Sequence, residues 1–151
     1  MTYTIQSVVE AIAGKLSDLN YPIYASAVQQ DVDLPCFFIS LMPSTSESQV
    51  DERNLTTLFV DVVFLQRPDI PDATDLIFSV IQHLNEKLEF ITLTDGEGST
   101  AEEAPIHTYD RQYHLENMDL HYQFNLKLRG HLPKDVNLLK ALEEINYEIK
   151  E

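Results

Sequence analysis

Met118–Arg129 reads MDLHYQFNLKLR, and its alternation decides the fold class. Leu120, Tyr122, Phe124, Leu126 and Leu128 alternate with Asp119, His121, Gln123, Asn125 and Lys127. A period of two places the first set on one face of a β-strand and the second on the other. One face is then core and the other wet, the pattern of an antiparallel sheet covered on one side. Gly130 and Pro133 are expected to break this strand, and Ile106–Tyr113 to pair with it.

Working outward, Leu55–Leu65 shows the same period. Leu58, Val60, Val62 and Phe64 make an apolar face, with Asp61 on the other between Phe59 and Val63. Cys36–Met42 is apolar on both faces, and Pro43 is expected to stop it. Shorter strands are expected at Ile23–Ala27 and Phe90–Leu93. Two amphipathic helices are read from helical spacing. The first, Ile5–Leu19, has Thr2 or Thr4 as cap, and Asn20 with Pro22 ends it. The second runs from Ala73 to Lys87, with Asp72 as cap. A third, from Val136 to Asn146, carries Leu138, Leu139, Leu142 and Ile145.

The expected fold is α+β in the order α-β-β-β-α-β-β-β-α. A mostly antiparallel or mixed sheet of about six strands carries two helices on one face, followed by the C-terminal helix. A chain of 151 residues without internal repeat or composition shift reads as one domain, residues 1–151. Two polar stretches interrupt the pattern, Ser44–Asn54 and Asp95–Pro105. They read as loops, the first alternatively as a hairpin arm protruding from the core.

The net charge is −15, from 10 Lys and Arg against 25 Asp and Glu. Such a chain repels nucleic acid and anionic membranes. The acidity suits a solvated surface, or a wall that DNA slides past without sticking. The N-terminus has no basic region leading into an apolar run, and no stretch approaches the ~20 apolar residues of a membrane span. Folding in the cytoplasm, with no membrane partner, is the expectation.

No catalytic signature emerges. The single cysteine, Cys36, sits among phenylalanines with acidic flanks, which raises a thiol pKa and argues for a small buried hydrophobe. No Gly-x-Ser-x-Gly elbow occurs. Asp95-Gly96-Glu97-Gly98 lacks the ligand series of a calcium loop and the Lys-Ser/Thr of a phosphate loop. Glu102 and Glu103 are adjacent and point apart on an extended chain. His107 and His121 fall on strands expected to pair, but no Cys or carboxylate spacing completes a metal site there. The expectation is no enzyme, no cofactor and no metal.

The segment Tyr24–Leu41, YASAVQQDVDLPCFFISL, carries a resemblance. A short strand at Ile23-Tyr24, the pair Val28-Gln29, polar residues, then Pro35-Cys36-Phe37-Phe38-Ile39 is similar to the phage tail terminator family. That family serves contractile-tailed phages, prophages and phage-tail-like bacteriocins of Gram-positive bacteria. The likeness continues at Arg53 and Val63-Phe64-Leu65. It departs where Phe64-Leu65-Gln66-Arg67-Pro68 stands in place of an ending of the Tyr-Phe-Pro type. These residues mark a fold and bring no active-site residue with them.

The resemblance implies a structural virion protein whose subunits form a ring, a homohexamer, on a finished tail tube. The ring ends elongation, touches the last sheath layer and offers a surface to the head–tail connector. DNA passes through it without specific binding. The implied partners are further copies of the chain, tail tube protein, sheath protein and connector. The implied location is the host cytoplasm during assembly, then the head-proximal end of the tail. Ser44, Glu47, Asp51, Arg53, Glu97, Glu102 and Glu103, in the two polar stretches, are the candidate interface residues. Two other readings stay open: a head–tail connector or adaptor, and an acidic inhibitor that mimics DNA.

Overall fold

A computed structural model describes residues 4–25, 32–48, 53–67, 73–95 and 102–131; at 94, 95, 102–104, 130 and 131 it describes the backbone alone. The first helix, α1, spans Ile5–Leu16. Of the two expected caps, Thr4 starts it through a capping box. Its Oγ1 accepts from the Ser7 N–H, and Ser7 Oγ accepts from the Thr4 N–H, both at 3.0 Å. A 3-10 turn, Ser17–Leu19, replaces the expected last α-turn. Asn20 then takes the left-handed conformation, φ 60°, that closes a helix end.

Six strands follow or flank a second helix: β1 Ile23–Tyr24, β2 Cys36–Ser48, β3 Arg53–Leu65, α2 Ala73–Lys87, β4 Phe90–Asp95, β5 Glu102–Glu116 and β6 Asp119–His131. They form one mixed sheet in the order β1-β2-β3-β6-β5-β4. Only the β1–β2 pair is parallel; the other pairs are antiparallel. The fold is α+β. The expected helix over Val136–Asn146 and the Asp72 cap lie outside the described residues.

Both helices cover the same face. Val8, Ile12 and Leu16 of α1 and Val80 and Leu84 of α2 pack with Leu58, Val60, Val62 and Phe64 of β3 and Leu120–Leu128 of β6. In the ladder, Val60 lies opposite Phe124 and Val62 opposite Tyr122. These side chains are almost wholly withdrawn from water, worth about 1.5–3 kcal/mol each. Polar contacts fasten α2 to the sheet. The Tyr122 hydroxyl donates to Asn85 Oδ1 at 2.8 Å. Thr108 Oγ1 donates to the Leu88 carbonyl at 2.6 Å, just past the end of α2. The Thr108 N–H and hydroxyl also both reach the Glu89 carbonyl.

The central strands β3 and β6 pair without interruption, while both flanking strands bulge. In β2 the residues Pro43 and Ser44 together oppose Leu58. In β5 Asp110 and Arg111 together oppose Phe124. A bulge bends its strand and increases local twist. Two of them, on opposite sides of the central pair, curl the sheet around the helices.

Several strand limits correct the sequence reading. Pro43 does not stop β2, because it sits in the bulge, where the ladder asks no N–H of it. Ser44 Oγ repairs the gap, donating to the Met42 carbonyl at 2.8 Å and accepting from the Phe59 N–H at 3.2 Å. The strand continues to Ser48, so this polar stretch is a hairpin arm and not a loop. Gly130 does not break β6 but lies within it, opposite Asn54. The second polar stretch shrinks likewise: Asp95 pairs with Glu102, Thr94 with Glu103 and Thr92 with Pro105. No helix among the described residues is long and apolar enough to cross a membrane.

Candidate functional site

The two ends of the sheet differ in chemistry. β2 ends and β3 begins at one end; β4 ends and β5 begins at that same end, where β6 also finishes. The strands bracketing both polar stretches therefore converge there. Glu47 lies exposed near the end of β2, and Arg53 opens β3 opposite His131. Glu102 and Glu103 open β5. Ser44 lies further along the arm, in its bulge. Asp51 and Glu97 lie outside the described residues, as do Val28 and Gln29. On the core side of this arm the apolar face gives way to polar groups. Asn54 Nδ2 donates to Ser46 Oγ and to Thr56 Oγ1, each at 2.9 Å.

The opposite end carries the β5–β6 turn. Asn117 and Met118 both have positive φ, 51° and 70°, the conformation of a two-residue hairpin turn whose twist matches its strands. On the helix-facing side, beyond the cover of α2, Tyr113 stacks on Tyr122 with rings 6° from parallel and centroids 5.9 Å apart. Leu115 lies opposite Leu120. Tyr113, Leu115 and Met118 are 51%, 48% and 50% exposed, an apolar strip at the hairpin tip. β4 pairs with β5 only as far as His107. From Tyr109 to Glu116 the outer edge of β5 has no strand beside it among the described residues. An open edge with apolar side chains is a surface that another chain can pair with.

The other side of this hairpin holds His114, Glu116 and His121. His114 and His121 are directly opposed in the ladder and stack with centroids 5.1 Å apart. Asp61 Oδ2 bonds His121 Nδ1 at 2.9 Å, and Glu116 Oε2 lies 3.6 Å from His121 Nε2. Donor atoms of His114, Glu116 and His121 all fall within 4.8 Å of one another. His107 and His121 do fall on paired strands, as the sequence suggests, but they are not neighbours. His107 instead lies opposite Phe90 of β4, beyond the bulge, and packs on its ring. The true neighbour depends on the register that the Asn117–Met118 turn sets. The His-x-Glu spacing on β5 was the available signal.

Of the motif residues, those from Pro35 to Ile39 are among the described residues. Phe37 and Ile39 join the core, and Phe37 packs on Phe64 at 5.0 Å between ring centroids. Phe38 faces the other way and stacks on Tyr24. Pro35 precedes the strand, and Arg67 Nε donates to the Leu34 carbonyl beside it. Cys36 is buried, and its thiol is pushed up first by burial and then by Asp119 and Asp33. A raised thiol pKa makes a poor nucleophile. Asp119 is itself raised, chiefly by burial, although His121 and the Gln66 backbone favour its charge.

Two concavities lie among the described residues. One, about 440 Å³, lies along α1 between Ser7, Glu10, Gly14, Lys15 and Thr92. The other, about 130 Å³, lies between Gln66, Arg67 and Asn117–Asp119. Neither assembles a nucleophile with a base and an oxyanion site, which acyl or phosphoryl chemistry requires.

A family model described as "Phage tail terminator protein" matches residues 5–136. The match runs from the first residue of α1 past the end of β6. A search of curated proteins finds no match.

Proposed function

This chain belongs to the phage tail terminator family, and from that premise we propose that it forms a ring, a hexamer, that caps the tail tube and sheath. The ring stops elongation and presents a surface for joining the head. The family is one of structural tail proteins, and the match over residues 5–136 is the observation that carries the reading. A cyclic ring needs one surface of each subunit to meet a different surface of the next. The open edge of β5, with Tyr113, Leu115 and Met118 beside it, supplies one such surface. Strand pairing there would bury the apolar strip and add backbone hydrogen bonds along that edge together.

The end of the sheet that carries the two polar stretches suits the lumen side. A net charge of −15 keeps DNA from adhering as it passes. Tube, sheath and connector proteins are the partners in this reading, and the head-proximal end of the virion tail is the location. A contractile particle of a Gram-positive host, phage or bacteriocin, is the parent assembly that the motif residues favour.

The test is tail length in particles from a strain lacking the gene, by negative-stain electron microscopy. Overlong tubes of scattered length are expected, and native mass spectrometry of the capped wild-type tail end should give six copies. Tails of normal, uniform length would overturn the terminator role. If such tails were detached from filled heads, a connector role would replace it.

A further inference from the structure

We propose that His114, Glu116 and His121 form a binding site for a divalent transition cation of the zinc class. Three observations carry this, and none depends on the tail role. The first is geometry. The ladder places His114 directly opposite His121, and Glu116 follows two residues along the same face. Their donor atoms already lie within 4.8 Å of each other. Tetrahedral zinc with bonds near 2.0–2.1 Å requires neighbouring donors about 3.4 Å apart. The Glu116 Oε2–His121 Nε2 separation of 3.6 Å is close to that. His114 and Glu116 are exposed, so modest rotations bring in the third donor.

The second observation is a mismatch that a cation removes. The Asp61 carboxylate accepts a hydrogen bond, so His121 Nδ1 carries the hydrogen in their 2.9 Å contact. In the neutral ring, Nε2 then presents a lone pair. Nε2 lies 3.6 Å from Glu116 Oε2, another acceptor. Two acceptors facing each other repel unless positive charge lies between them.

The third observation is the support behind the ligand. A metal-binding histidine characteristically donates its second N–H to a carboxylate, which sets the tautomer and orients the ring. Asp61 stands in that relation to His121. It sits on the central strand β3 and is only 13% exposed. Two imidazoles and one carboxylate suit zinc, cobalt or nickel, whereas magnesium and calcium require shells of oxygen. Three protein ligands leave a fourth position open to solvent, or to a donor from another molecule.

The test uses the untagged full-length chain, stripped with chelator and titrated with Co²⁺ as an optical probe and with Zn²⁺ by calorimetry. One ion per chain is expected, with a tetrahedral Co²⁺ absorption band that Zn²⁺ removes and millimolar Mg²⁺ does not. His114→Ala and Glu116→Gln alter exposed side chains and should leave the circular dichroism spectrum unchanged while weakening binding at least tenfold. Asp61→Asn keeps all three donors, and loss of its support should weaken binding about 10–100-fold. Absence of the Co²⁺ band would overturn the site. Binding that survives His114→Ala at full strength would overturn it equally, by putting the ion elsewhere.

Discussion

Replacing Leu115 by Asp tests the assembly surface where its chemistry is simplest. The side chain is 48% exposed on the open edge of β5. Full burial of a leucine is worth about 1.5–3 kcal/mol, so covering the exposed half against a neighbour contributes about 1 kcal/mol. Losing that term alone weakens each contact roughly fivefold. An aspartate adds more, because burying an unpaired carboxylate costs several kcal/mol. The expected penalty is therefore at least tenfold per contact, repeated at every interface of a cyclic ring. Folding should be nearly unaffected, because the position is half solvated already. The assay is complementation of the deletion strain, with tail lengths measured by microscopy. Thermal melting of the purified variant serves as the folding control. Folded Leu115→Asp protein that restores uniform tails would refute the edge as a contact surface. The same substitution at Phe78, 59% exposed on α2, separates the two faces. If only Phe78→Asp leaves tails overlong, the subunit contact runs over the helices.

Three further outcomes follow from the fold. Thr108→Val removes the hydroxyl that serves the Leu88 carbonyl at the end of α2. It should cost about 1–3 kcal/mol in denaturant melts. Phe124→Ala, at the centre of the core and opposite the β5 bulge, should cost about 3–5 kcal/mol by the same assay. Asp119→Asn should raise the melting temperature at pH 7. Burial raises the folded pKa of Asp119 above its usual value, so its ionisation penalises the folded state as pH rises through the carboxylate range. Measured across pH, the benefit of the amide should fade once the carboxyl is protonated in both states. A gain that stayed constant down to low pH would contradict this origin.

The helices were legible because each carries one uninterrupted stripe and clear end signals. Thr4 with Ser7 and the later Asn20 bracket α1, and Ala73–Lys87 needed no correction. β3 and β6 were equally plain, since no bulge disturbs their alternation. The flanking strands were not. Beyond Met42 the β2 arm is exposed, so it shows no apolar period although its backbone pairs with β3 again from Thr45 to Ser48. In β5 the bulge at Asp110, with φ 53°, shifts the alternation by one residue halfway along. Apolar and polar positions then exchange faces, and the strand loses its signature. The histidine pairing failed for a related reason. Asn117 and Met118 adopt left-handed φ values without a glycine to announce the turn, and that turn sets which residue faces His121.

The tip of the β5–β6 hairpin gathers features that stability alone does not ask for. Its helix-facing side leaves Tyr113 and Leu115 half exposed. Its other side sets two histidines and a carboxylate against an Asp61 held on the central strand. The turn between them needs two left-handed non-glycine residues, which cost about 1 kcal/mol or more each relative to glycine. A fold selected only to be stable would shorten this hairpin or place glycine at its turn. A longer hairpin with a rigid register is what a docking edge requires, because strand pairing across subunits is specific only if neither strand can slip. The uninterrupted β3–β6 ladder provides that rigidity, and the bulge in β5 bends the strand beyond Tyr109. The tip therefore stands beside the end of β3, where Phe64 lies opposite Leu120, with its register already set.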